Sequence, residues 1–268
     1  MSNQLFKTKS FSAEYNQNLF CVELLSKEVN SINSIYSLQY YQNNYIAFKM
    51  ERKKLYKELL DKALSFSTGP LLDIGSGSGL FLKEVAVAGI ECAGIDPSED
   101  ACQIAKEQTT SEIFQGDPLS FPVDWKKGHY GIVTILDVLA HTDFPDKLLQ
   151  WCHEQMRNDG IIVLKTPNHP LPFYQYIWKK YQNNPAMLQE LAHFPNQKFG
   201  WGMDGIGALL KKCGFKIVLQ EPYHEFQNPE IFALGDLLHP RRMLYKSRLR
   251  DSVRFLKYKS ILMIAKKT

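Results

Sequence analysis

An α/β chain with a doubly wound, mostly parallel sheet is the fold class this sequence predicts. Three observations lead there. Short apolar runs of strand length alternate with segments of helical spacing. Three of these runs meet an acid at their carboxyl ends, at Asp73, Asp96 and Asp117. The first of them enters a loop with glycine at alternate positions, Gly75-Ser76-Gly77-Ser78-Gly79, before Leu80-Phe81-Leu82 resumes an apolar pattern.

The core elements follow in order. Leu71 to Ile74 reads as a buried strand, and the glycine loop opens a helix. Glycines there permit positive φ and remove Cβ atoms, so a ligand can lie against bare backbone. N–H groups at the helix start favour a negative group such as a carboxylate. Ile90 to Asp96 is a second strand, followed by Pro97. Asp96 lies 21 residues after Gly75, near the ~20-residue offset at which a strand-end acid takes a ribose diol. Asp96 also suits the N-terminus of a helix beginning at Pro97-Ser98-Glu99-Asp100, and both readings can hold. Glu112 to Pro118 is a third strand, ending at Asp117 and Pro118. Tyr130 to Leu136 is a fourth, with Asp137-Val138-Leu139-Ala140-His141 as its exit. A helix follows over about 144–157, then a turn and C-cap at Asn158-Asp159-Gly160. Gly160 to Asn168 is a fifth strand, ended by Pro167. Met203 to Cys213 is a helix stopped by Gly214. Phe215 to Gln220 is a sixth strand, and Ser260 to Lys266 a last one.

The glycine spacing departs from the dinucleotide fingerprint G-x-G-x-x-G, because the third glycine comes one residue early and position 80 is Leu. That argues against a nicotinamide-dependent dehydrogenase. The D-x-G-x-G-x-G run at 73–79 resembles motif I of the class I S-adenosylmethionine (SAM)-dependent methyltransferases. The order strand-DVL-x-H, helix, glycine turn, strand-TPN is similar to the subfamily containing the ubiquinone-biosynthesis O-methyltransferases and many small-molecule methyltransferases, over about residues 40–220. The resemblance implies a Rossmann-like, seven-stranded sheet whose last strand enters antiparallel between the fifth and sixth. It implies SAM as cofactor and S-adenosylhomocysteine as product, held by Asp73, Gly75, Ser76, Gly77, Gly79, Asp96, Pro97, Asp117, Pro118 and Asp137. In that pattern Asp117 takes the adenine amino group. One departure stands: the quinone enzymes carry Glu before the His, and here it is Ala140, which argues against carrying over their substrate.

Residues 1–68 are expected to form an N-terminal helical cap, with a helix from Ile46 to Leu64 that sets Leu55, Leu59 and Leu60 on one side. Residues 69–268 form the core, with insertions at about 169–201 and 228–259. Helices ahead of the core in this class commonly lie over the cofactor, so Tyr40, Tyr41 and Tyr45 are candidates for the substrate pocket; aromatic packing against the sheet edge is the alternative. The stretch 169–201 is rich in aromatics and Pro and follows the fifth strand. It reads as a lid over the strand carboxyl ends, with Tyr174, Trp178 and His193 toward an apolar or planar substrate, or else as a small satellite core.

Methyl transfer is an in-line displacement in which the protein mainly aligns donor and acceptor; a hydroxyl acceptor also needs a base. His141 and His169, just past strand ends, are the candidate bases. No metal set is expected, since no histidine has an i, i+4 partner. A SAM-binding but catalytically degenerate partner or regulator is the reading from another class.

The composition bounds the rest. At 268 residues, 44% hydrophobic and 12% aromatic, the chain can bury a sizeable core. No apolar run approaches the ~20 residues of a membrane span. Five scattered cysteines without a C-x-x-C pair, and a polar N-terminus, fit a reduced, cytoplasmic compartment. The net charge of +4 hides an asymmetry: residues 241–259 carry +7, so the remainder carries −3. There Lys246, Arg250 and Arg254 make a basic stripe and Leu249, Val253 and Leu256 an apolar one. That segment is either an ordinary amphipathic helix, a contact to an anionic membrane surface, or a grip on an anionic substrate or nucleic acid. Leu136-Asp137-Val138-Leu139 stands where base-amine methyltransferases carry N/D-P-P-Y, which argues against nucleic acid. The acceptor itself is expected to be a small molecule.

Overall fold

The computed structural model describes residues 4–8, 11–26, 49–192, 196–223 and 260–268. Tyr40, Tyr41, Tyr45, His193 and the basic segment 241–259 lie outside the described residues.

The strands are β1 Gln4–Lys7, β2 Phe11–Asn16, β3 Cys21–Ser26, β4 Leu71–Ile74, β5 Cys92–Asp96, β6 Glu112–Gln115, β7 Tyr130–Leu136, β8 Met156–Pro167, β9 Phe199–Gly200, β10 Phe215–Tyr223 and β11 Ser260–Lys267. The described helices are α1 Lys49–Leu64, α2 Leu80–Val87, α3 Glu99–Gln108, α4 Pro145–Gln155, α5 Leu171–Tyr181, α6 Pro185–Leu191 and α7 Met203–Lys212.

The main sheet has seven strands in the order β10-β11-β8-β7-β4-β5-β6. The pairs among β4 to β8 are parallel, and β11 lies antiparallel between β8 and β10. Strands covered on both faces read as continuous apolar runs, and β4 and β5 are buried at every position. Successive residues serve opposite faces. Leu72, Val133 and Leu164 pack with Leu149 and Cys152 of α4 and Leu209 of α7. Leu71, Ile132 and Val163 pack with Leu59 and Leu60 of α1 and Phe81 and Val85 of α2. Helix α3 starts where the sequence places it: Ser98 caps it, its hydroxyl accepting from the Ala101 N–H at 3.3 Å.

Three expectations are corrected. The cap over 1–68 is helical only in α1 among the described residues. Its first part is a β-meander, β1-β2-β3, which pairs with β9 in a second, four-stranded sheet. The alternation Phe11-Ser12-Ala13-Glu14 puts Phe11 and Ala13 inside. Asn16 turns the chain, its side-chain oxygen accepting from the N–H groups of Asn18 and Leu19 at 3.0 and 3.1 Å.

Second, the aromatics of 169–181 pack into a satellite core instead of facing a ligand, while Asn196 and Gln197 of the same stretch line a cavity. Phe173, Tyr174 and Ile177 of α5 and Leu188 of α6 pack on Phe6, Phe11 and Val22 of the meander, and Trp178 stacks on Phe6 at 5.0 Å.

Third, Asn158-Asp159-Gly160 does not separate helix from strand. Strand β8 begins at Met156, directly after α4, and the extra residues make a register shift against β7, where Tyr130 faces Met156 and Ile132 faces Ile161.

Candidate functional site

Strands β4, β5 and β7 deliver the glycine loop and two of the acids to the carboxyl edge of the sheet, and Asp117 follows β6 there. Gly75 has φ +71°, and a Cβ at that position would lie 2.2 Å from Val138 Cγ2, so only glycine fits beneath the β7 exit. The Gly77 N–H donates to Asp96 Oδ2 at 2.8 Å, while Asp96 Oδ1 accepts from the Ser98 N–H at 2.9 Å. Burial raises the Asp96 carboxyl, and these two N–H groups oppose the rise. Asp73 is buried and accepts from the Thr134 hydroxyl at 2.6 Å. Burial pushes its carboxyl up to about 7, with the Thr134 bond lowering it and Asp96 adding to the rise. Asp117 caps a short 3-10 turn, its carboxylate accepting from the Leu119 N–H at 2.8 Å.

A cavity of about 470 Å³ runs along this edge and is lined by Asp73, Gly75, Ser76, Gly77, Asp96, Pro97, Asp117, Pro118, Asp137 and His141. Sequence reasoning therefore assembled one side of it. Gly79 is not in that lining: it caps α2 at φ +76° and packs against Ala105 of α3. His169 and Tyr174 also lie off the cavity. The His169 ring stacks on Phe173 at 4.5 Å, and its Nδ1 meets Gln197 Oε1 at 3.1 Å. Tyr174 is fully buried in the satellite core beside Trp178. The expectations of His169 as a base and of Tyr174 and Trp178 as pocket walls are corrected accordingly.

The cavity continues past the acids to the other half of the sheet, where β8, β10, β11 and α1 supply Lys165, Tyr223, Ser260, Arg52 and Tyr56. None of these was singled out from sequence. Lys165 is buried and forms an ion pair with Asp137, and its Nζ sits 6.0 Å from the Tyr223 ring centroid. Asp137 adopts φ +60°, a strained left-handed conformation for a residue with a side chain, and its N–H donates to the Lys165 carbonyl at 2.8 Å. A cation closing the apolar run Ile161-Ile162-Val163-Leu164 was the available signal for Lys165. Gln197, in an irregular stretch, gave none.

His141 sits on this rim. Its Nδ1 contacts the Asn196 carbonyl. A carbonyl can only accept, so Nδ1 carries the proton and Nε2 is the basic nitrogen of the neutral ring. Burial lowers its pKa below the usual histidine value. The Asn196 carbonyl and Asp137 oppose that shift, and Lys198 adds to it. Among the described residues no cluster of three or more His, Cys, Asp or Glu side chains is placed to hold a metal, and no helix is long and apolar enough to cross a membrane.

The residues present suit a SAM-sized ligand. The loop backbone is bare, the Ser76 and Ser78 hydroxyl oxygens are buried without partners, and the three strand-end carboxylates of Asp73, Asp96 and Asp117 border the same cavity. A methyltransferase domain family model matches residues 48–220. A ubiquinone biosynthesis O-methyltransferase from Glaesserella parasuis is 28% identical over 125 residues, covering 44% of this chain and 53% of that one. One of the same description from Marinobacter nauticus is 26% identical over 163 residues, covering 50% and 66%. The matches thus span about half to two thirds of those relatives' length. Among solved structures, phosphoethanolamine N-methyltransferase 2 of Haemonchus contortus, in complex with SAM, aligns with TM-score 0.58 at 16% identity, over 92% of this chain and 62% of that one. Family model, strand order and glycine loop agree, and the chain belongs to the methyltransferase domain family, in its class I, SAM-dependent form.

Proposed function

We propose that this chain methylates a hydroxyl of a planar, aromatic small molecule, with His141 as the base. SAM, when bound, supplies an activated methyl group on a sulfonium. Asp96 would hold the ribose diol, Asp117 the adenine amino group, and the Gly75–Gly77 backbone the amino-acid end. The remaining half of the cavity, walled by Tyr56, Tyr223, Leu55 and Pro167, supports a flat and largely apolar acceptor.

The observation that carries the proposal is the contact of His141 Nδ1 with the Asn196 carbonyl on the cavity rim. A carbonyl only accepts, so in the neutral ring Nδ1 holds the proton and Nε2 is the basic nitrogen. Burial keeps the ring neutral near pH 7, as a base must be. Aligning acceptor and donor is the larger part of the task, and the rigid strand ends of β7 and β8 serve it. A small-molecule O-methyl acceptor is also in keeping with what the ubiquinone-biosynthesis relatives are named for.

The test is His141→Asn with a catechol probe. Transfer should fall by about 10²–10⁴-fold while the affinity for S-adenosylhomocysteine stays unchanged. The wild-type rate should decline on acidification only below the ~6.5 of an ordinary imidazole, because burial lowers the His141 pKa. Undiminished transfer by a folded His141→Asn protein would contradict the assignment.

A further inference from the structure

Gln197 is a buried amide on the cavity wall with a dedicated partner behind it. It is 6% exposed and lines the cavity. Its Oε1 meets His169 Nδ1 at 3.1 Å. With Oε1 facing the ring, His169 Nδ1 is the donor of this bond and the amide Nε2 points away from it. Among the described residues the one hydrogen bond of the Gln197 side chain is this one, made by Oε1. His169 is itself immobilised. Its ring lies flat on Phe173, 4.5 Å away and 7° from parallel, and its N–H donates to the Trp201 carbonyl at 2.8 Å. The chain on either side of Gln197 is tied down as well. Asn196 meets His141, and the Lys198 N–H donates to the Ala140 carbonyl at 2.7 Å. The Lys198 carbonyl in turn accepts from the Leu24 N–H of the meander at 2.7 Å. A side chain held this firmly, with two N–H donors turned from its one partner, is built to read a ligand.

We propose that Gln197 is a specificity-determining residue that donates to an oxygen acceptor on the methyl-accepting molecule, such as a carbonyl or carboxylate away from the reacting hydroxyl, and that His169 is its positioning residue. This rests on the reading of the cavity's second half as an acceptor site. The chemistry selected is a hydroxylated ring that also carries a hydrogen-bond-accepting oxygen. A site that pairs with such a group disfavours the analogue lacking it, because that hydrogen bond is then lost.

The experiment uses the full chain saturated with S-adenosylhomocysteine and two probes of like shape, 3,4-dihydroxybenzaldehyde and 4-methylcatechol. Binding is measured by calorimetry and by broadening of the probe proton signals. Wild type should bind the aldehyde about tenfold more tightly, the range of one well-formed hydrogen bond. Gln197→Leu should bring that ratio to about one. His169→Phe, which keeps a ring on Phe173 but has no donor, should do the same, and His169→Asn should restore part of the preference. Should Leu destabilise the fold, Gln197→Glu has the same size and replaces the donors with a carboxylate, so the preference should vanish or reverse. Equal binding of both probes to wild type, or a preference retained in either Gln197 variant, overturns the inference while leaving the acceptor site standing. If neither probe binds wild type, the acceptor-site reading is overturned, and the inference falls with it.

Discussion

The backbone N–H of Gly77 donates to the Asp96 carboxylate at 2.8 Å, so the glycine loop after β4 and the acid ending β5 are one device. In the proposed binding mode the loop would present its backbone to the cofactor, and the same loop aims the acid. A substitution at Asp96 would then remove a cofactor contact and loosen the loop together. Asp96→Ala should weaken S-adenosylhomocysteine binding by about 10–100-fold, the loss of charge-assisted hydrogen bonds worth roughly 1.5–3 kcal/mol. Calorimetric titration of the folded variant checks this, and an unchanged dissociation constant would remove Asp96 from the site.

Asp73 should make stability depend on pH. Its folded carboxyl is raised to about 7 by burial, whereas in the unfolded chain it titrates near ~3.9. The folded state thus holds the proton more tightly. Stability from this group is fully present below the unfolded value and is lost as pH rises through about 4 to 7. Asp73→Asn keeps an oxygen to accept from Thr134 but has nothing to titrate. Relative to wild type it should gain stability between pH 4 and pH 8. Denaturant unfolding at the two pH values measures this, and parallel curves for the two proteins would contradict it.

The Lys165–Asp137 pair should respond unequally to removal of its two ends. Lys165 keeps 7% side-chain exposure and Asp137 44%. Asp137→Asn takes the anionic partner from a buried ammonium and should cost about 1–3 kcal/mol, under the ~3–5 of a fully enclosed pair because water reaches the carboxylate side. Asn tolerates the left-handed backbone at 137, so the charge is tested apart from the strain. Lys165→Met leaves a carboxylate that water can solvate and should cost under about 1 kcal/mol. Urea unfolding midpoints at equal m-values decide between unequal and equal costs.

Legibility followed physical periodicity. Strands β4, β5, β7, β8 and β11 were readable because doubly covered strands are apolar throughout, and β11 was placed between its neighbours by resemblance to a known family. The acids at 73, 96 and 117 were readable because each ends a strand at βαβ spacing, although Asp96 and Asp117 also accept from the first N–H groups of the turns that follow. The meander was missed although Phe11-Ser12-Ala13-Glu14 alternates with period two, since a short run near a polar terminus is a weak signal. The aromatics of 170–201 were given to a lid because density of rings does not say which surface they meet. Here they meet Phe6, Phe11 and Val22. Lys165 and Gln197 required the tertiary structure, because what marks each is its partner, Asp137 in one case and His169 in the other.

The central claim is that one cavity holds the cofactor over β4, β5 and β6 and an acceptor over β8, β10 and β11. A crystal structure of the chain grown with S-adenosylhomocysteine tests it most directly. The account predicts the ribose diol on Asp96, the adenine beside Asp117, and the sulfur turned toward the His141 and Lys165 half. A ligand bound in the reverse direction, with its adenine against Lys165, or seated outside this cavity, would contradict it.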